Sequence, residues 1–80
     1  MRNMLDCLLT RADRKDRPVF YRIEIAMTLF SDICVLREWG VAGGRPRSTM
    51  THFGNLREAS LAADDARRAA LSRGYNRSAH

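Results

Sequence analysis

The stretch Val19-Phe20-Tyr21-Arg22-Ile23-Glu24-Ile25-Ala26-Met27-Thr28-Leu29-Phe30 decides the fold. Tyr21, Ile23, Ile25, Met27 and Leu29 fall on one side of an extended chain, and Arg22, Glu24 and Thr28 on the other, because successive side chains of a strand point to opposite faces. Downstream, Ser31 and Asp32 supply turn chemistry and residues 33–39 are rich in β-branched and aromatic side chains, so the two segments are expected to pair as an antiparallel hairpin. Upstream, residues 4–9 form a short apolar run suited to a strand. Residues 10–17 are charged and without hydrophobic periodicity, which predicts a solvated loop. Gly40, Gly43, Gly44 and Pro46 interrupt the pattern after Trp39; glycine and proline there predict a loop of unusual backbone. A third alternating stretch, 48–53, returns as the next strand.

A helix over about 56–73 follows from separate signals. Asn55 stands at the N-cap with Glu58 three residues on, and Gly74 suits the left-handed residue that ends a helix. At 100° per residue, Leu56, Ala59, Ala63, Ala66 and Ala70 form one stripe flanked by Ala62 and Leu71. Such small side chains let a helix lie close to a sheet, with the core's bulk supplied by Ile23, Ile25, Met27, Leu36 and the aromatics. On the opposite face Asp64 and Asp65 stand at i,i+3 and i,i+4 from Arg67 and Arg68, a pattern of solvated ion pairs. The expected fold is therefore α+β: a small antiparallel sheet of about four strands with one helix packed on it.

Eighty residues make one domain, 1–80, and a chain of this length buries only roughly 60–65% of its unfolded surface. That leaves little room for a deep catalytic cleft. Hydrophobic residues at 45% and charged residues at 29% suit a folded soluble chain rather than a disordered one. No run approaches the ~20 apolar residues of a membrane span, and residues 1–10 lack the apolar stretch of a signal peptide; a cytoplasmic protein without a membrane partner is expected. Cys7 and Cys34 are far apart and are read as small buried side chains. His52 and His80 are too few for a zinc site, so no metal or cofactor is expected. Ser48, Thr49 and Thr51 have no evident base beside them, Asp64 and Asp65 diverge by about 100° on a helix, and Gly43-Gly44 lacks the Lys-Ser/Thr of a nucleotide-hydrolysing phosphate loop. No catalytic residue is assigned, and the chain is read as a non-enzyme.

The net charge is +5 and is spread along the chain, yet no acid occurs between Glu38 and Glu58, an interval holding Arg45, Arg47, Arg57 and His52. This local imbalance favours an anionic partner. Trp39, beside a glycine-rich loop, can lie against a sugar or unpaired base. Backbone at Gly40, Gly43 and Gly44 permits close approach of a phosphate, and Arg45 and Arg47 can give it bidentate contacts. Arg37, two residues before Trp39, points to the same strand face. Singly, a tryptophan in a small domain is usually a core anchor and loop arginines are usually soluble surface; their coincidence with an acid-free segment singles out Arg37, Trp39, Gly40, Arg45 and Arg47 as a nucleic-acid-binding set. The other reading is a protein-interaction module or homodimer using a sheet edge or the alanine-rich helix face.

The succession of residues 20–25, Leu29-Phe30, Leu36-Arg37-Glu38-Trp39-Gly40, Phe53, Glu58-Ala59 and Arg73-Gly74-Tyr75 resembles the WGR domain over about residues 4–76. The resemblance implies a small antiparallel sheet with a helix. In DNA-dependent poly(ADP-ribose) polymerases this domain helps to bind broken DNA and passes the signal to the catalytic part, and it also occurs in short stand-alone bacterial proteins. It implies a nucleic-acid partner here, DNA in preference to RNA, bound at the backbone or at strand ends. Trp39 and Gly40 match the first two positions of the name-giving motif; Val41 stands where arginine is expected, and Gly43-Gly44-Arg45-Pro46-Arg47 replaces the usual Gly-Gln ending of the loop.

Overall fold

A computed structural model describes residues 2–13 and 15–77; Arg14 of the predicted loop and His80 lie outside the described residues. The elements run β1 (Arg2–Ala12), β2 (Pro18–Met27), β3 (Ile33–Val41), β4 (Arg47–Phe53), α1 (Leu56–Ser72) and β5 (Asn76–Arg77). All pairings are antiparallel and the sheet order is β4-β3-β2-β1-β5. The α+β architecture is as expected, with five strands rather than about four; the added strand is the two-residue β5, too short to leave a period in the sequence.

The alternation read from residues 19–27 sets the register. Tyr21 pairs with Leu9 and Trp39, Ile23 with Cys7 and Arg37, and Ile25 with Leu5 and Val35. Residues directly opposite share a face, so these rows build one side of the sheet, on which α1 packs chiefly over β2 and the start of β3. Leu9, Tyr21, Ile23, Ile25, Ile33 and Val35 are buried there with Ala59, Ala63, Ala70 and Tyr75. The helix ends behave as the sequence predicts: Asn55 Oδ1 accepts from the Glu58 amide at 2.9 Å, and Gly74 closes the helix at φ +93°. Asp64 pairs with both Arg67 and Arg68.

Several expectations need correction. Residues 10–12 are strand, not loop: Thr10, Arg11 and Ala12 pair with Phe20, Val19 and Pro18, and the strand gives way at Asp13, which accepts from the Lys15 and Arg17 amides. Cross-strand pairing overrode the lack of apolar periodicity in so charged a segment. At the other end β2 stops at Met27. Thr28 Oγ1 accepts from the amides of Phe30 and Asp32, and Ser31 adopts φ +65°, so Leu29 and Phe30 sit on a turn at 89% and 87% exposure instead of extending the apolar face. Leu36 does not supply core bulk. It pairs with Glu24 and Met50 on the face away from α1, where it is only partly buried. Leu56 and Leu71 are exposed, leaving the alanines as the buried stripe, and Cys7 is half-buried whereas Cys34 is buried.

Candidate nucleic-acid interface

Strand alternation sorts the charges of β3 by face. Arg37 and Trp39 stand on the helix side, and Glu38 between them points the other way, opposite Arg22. On that far face Arg22 donates to Asp6 at 2.7 and 3.0 Å and contacts Glu24 at 3.0 Å. The Arg22 hydrogen bond is the main cause holding the Asp6 carboxyl below the usual carboxylate range. Thus Asp6, Glu24 and Glu38 gather around one arginine on the side remote from Trp39.

On the helix side, β4 brings Arg47 directly opposite Trp39 and Thr49 directly opposite Arg37. The Arg37 Nε–H donates to Thr49 Oγ1 at 3.2 Å, fixing the guanidinium over the β3–β4 floor. The helix does not shelter this floor: Arg47, Ser48, Thr49, Met50, Thr51 and His52 are all exposed. Arg45 is exposed in the preceding loop. Among the described residues, no carboxylate forms an ion pair with Arg37, Arg45 or Arg47.

Trp39 takes the core-anchor role considered for it. It is partly buried and packs against the core, and its ring stacks on Tyr21 at 5.8 Å between centroids and 14° between planes. Tyr21 comes from β2 on one side of β3, so the indole's other face looks toward β4 and Arg47. Gly40 serves the loop more than it opens space. A Cβ there would lie 3.3 Å from Pro46 Cα and 3.7 Å from Arg45 O, so glycine lets 45–46 fold back against β3 and carry Arg45 and Arg47 beside Trp39. Gly43 takes φ +82° with open space around it, and the Gly44 amide donates to Val41 O at 2.9 Å, closing the turn. Sequence reasoning missed Tyr21 as the partner that orients the indole; its signal was its place in the same alternating row.

A separate groove of about 760 Å³ opens between β1 and α1, with Leu5, Cys7, Ile23, Ile25, Ala63 and Arg67 among its lining residues. None of the five predicted site residues lines it. Among the described residues no group of His, Cys, Asp or Glu is placed to hold a metal ion, and no helix is long and apolar enough to cross a membrane.

The family model of the WGR domain matches residues 5–80. This chain belongs to the WGR domain family. The WGR domain is a binding module. The chain is also similar to the uncharacterized protein y4dW of Sinorhizobium fredii (strain NBRC 101917 / NGR234), 38% identical over 56 residues, which is 70% of this chain and 28% of that relative. This WGR chain thus spans well under a third of its relative's length. No solved structure matches it.

Proposed function

We propose that this WGR domain is a non-catalytic nucleic-acid-binding module that takes the sugar-phosphate backbone or a strand end of DNA against Arg37, Trp39, Arg45 and Arg47, with Gly40 shaping the loop. The observation that carries the reading is the placement of Arg37, Trp39 and Arg47 together on one face, their guanidinium groups without ion-pair partners among the described residues, while Glu38 is turned to the other. Guanidinium groups free of carboxylates bind phosphate by charge-assisted, bidentate hydrogen bonds, and an indole that is only partly buried can add stacking. Contacts of this kind carry little sequence information. The WGR domains of poly(ADP-ribose) polymerases support the same assignment by analogy.

Fluorescence anisotropy with blunt, nicked and overhanging DNA duplexes at two ionic strengths tests it. Each phosphate contact contributes about 0.9 to the slope of log affinity against log salt. Arg45→Ala combined with Arg47→Ala is therefore expected to lower the slope by about 1.8, making the fall in affinity between about 50 and 200 mM salt roughly 12-fold smaller. Affinity that hardly changes with salt, or that survives the double substitution, overturns the assignment.

A protein-interaction role has one observation in its favour: β4 is a seven-residue edge strand exposed on nearly its whole length, and such an edge can accept another strand. The alanine-rich helix face is not available for this, because Ala59, Ala63 and Ala70 are buried against the sheet. Sedimentation showing a stable dimer in which Trp39 becomes buried would favour this second role over the first.

A further inference from the structure

We infer that the chain pairs with a second copy of itself through β4, edge to edge and antiparallel about a two-fold axis at Met50; the pairing rests on the β4 edge noted above and does not need the nucleic-acid reading. β4 closes one side of the sheet, and Arg47 to His52 are exposed along it. An outer strand is a template for another strand, and folds guard such edges with proline, bulges or charge. β4 contains no proline, and its register on β3 runs unbroken from Phe53 to Arg47. Arg47, at its end, is the one Lys, Arg, Asp or Glu in it. The opposite side of the sheet differs: β5 pairs there with Leu9 and Thr10, and the β1 register shifts between Asn3 and Leu5.

The residue order of β4 selects a register. With Met50 opposite Met50 of the second copy, all seven residues find partners: Arg47 meets Phe53, Ser48 meets His52 and Thr49 meets Thr51, each twice. No two like charges then face one another, and threonine opposite threonine is a favourable cross-strand pair. A two-fold centred on Thr49 or on Thr51 would leave the strand ends unpaired.

Packing points to the same axis. On the face away from α1, one row runs Glu24, Leu36, Met50 across β2, β3 and β4, so its apolar end lies at the open edge. Met50 is 46% exposed and Leu36 only partly buried, although both are large and apolar. The two-fold at Met50 joins two such rows into one apolar band, Leu36 and Met50 of one copy beside Met50 and Leu36 of the other. A single strand pair of this length buries less than the ~1,200 Å² at which stable interfaces begin, so association is weak and concentration-dependent. Each copy carries a net charge of +5, so pairing strengthens as salt screens the repulsion, the reverse of DNA binding.

Sedimentation velocity of the 80-residue chain from about 5 to about 500 µM tests the pairing. The wild type and Met50→Leu are expected to pass from monomer to dimer over that range, while Met50→Lys, which sets two like charges at the axis, stays monomeric. In a Cys7→Ser background, Met50→Cys should cross-link to a covalent dimer when diamide takes up the two thiol hydrogens. His52→Cys should not, because its two copies would stand about 14 Å apart. Thermal melts establish that each variant is folded. A wild type that is still monomeric at about 500 µM, a Met50→Lys chain that dimerises, or cross-linking of His52→Cys as fast as that of Met50→Cys overturns the pairing. The nucleic-acid reading fails separately, through the salt slope of the Arg45 and Arg47 pair.

Discussion

Replacing Trp39 separates two tasks, because the same ring packs on the core and, in the proposed complex, faces the ligand. The indole stacks on Tyr21 at 5.8 Å and is partly buried. A stacked aromatic pair contributes about 0.5–1.5 kcal/mol beyond the area it buries, and truncating a fully buried tryptophan to alanine costs about 3–5 kcal/mol. For a partly buried ring replaced by leucine, about 1–2 kcal/mol is expected. Against the roughly 4–12 kcal/mol available to a domain of this size, Trp39→Leu should fold and melt about 4–16 °C lower. In a double-mutant cycle with Tyr21→Leu, followed by urea unfolding, the coupling energy should be about 0.5–1.5 kcal/mol. Binding should respond separately. Loss of stacking is worth about 1–3 kcal/mol, a fall in DNA affinity of about 5- to 150-fold. Tyr21→Leu, which leaves the indole unsupported, should weaken binding by about 2- to 12-fold. Since Trp39 is the sole tryptophan, its emission reports this one place and should be quenched as DNA saturates the site. A coupling energy below about 0.3 kcal/mol would refute the stack as a support. Emission unmoved by saturating DNA would refute the indole as a contact.

Three further outcomes are expected. Asn55→Ala removes the acceptor for the Glu58 amide and should cost about 1 kcal/mol, read as a melting temperature about 4–8 °C lower. The Asp6 carboxyl has a folded pKa below its ordinary 3.8 because Arg22 donates to it, so the pair stabilises the fold above the unfolded value and loses that contribution as pH falls through the folded one. Its two side chains are 41% and 42% exposed, which limits the effect to about 0–1 kcal/mol, and Asp6→Asn should flatten the acid limb of stability, measured by urea midpoints at about pH 3 and pH 7. Leu29→Ser with Phe30→Ser should change stability by no more than about 0.5 kcal/mol, since both side chains are almost fully exposed; a melt lowered by several degrees would show that the tip packs on something.

How much could be read before any coordinates depended on what each residue's order was set by. The alternation that opens at Val19 and the cap at Asn55 are local and periodic, so the starts of β2 and α1 stand where the sequence puts them, although β2 ends at Met27 and not at Phe30. The Thr10–Ala12 segment was misread because its order comes from pairing with Phe20, Val19 and Pro18, and ladder hydrogen bonds leave no mark on side-chain polarity. Leu29 was misassigned for the opposite reason: it continues the period, but Thr28 accepts two amides just before it and turns the chain. Within the site, the shared face of Arg37 and Trp39 was legible from a spacing of two, whereas Tyr21 beneath the indole and Arg47 opposite it depend on the β2–β3 and β3–β4 registers. The structural use of Gly40 was hidden too, because its neighbours Arg45 and Pro46 come close only once the loop has folded.

The same registers explain how a chain with three acids near Arg22 keeps an arginine-rich face. In β3, Glu38 lies between Arg37 and Trp39 in sequence, yet the pleat directs it to the side where Arg22, Asp6 and Glu24 already associate. A shift of one residue in the β3 pairing would exchange the faces, placing a carboxylate beside Arg47 and turning Arg37 and the indole away from α1. Two features oppose that slip. Trp39 packs on the core beside Tyr21, so exchanging faces would expose a large ring and bury Glu38 in its place, and Pro46 passes so close over Gly40 that a side chain at that position would have to push the loop backbone away. Core packing and surface charge therefore select the same register, and the apolar contact that stabilises the sheet is also what keeps the cations of β3 and β4 apart from the carboxylates.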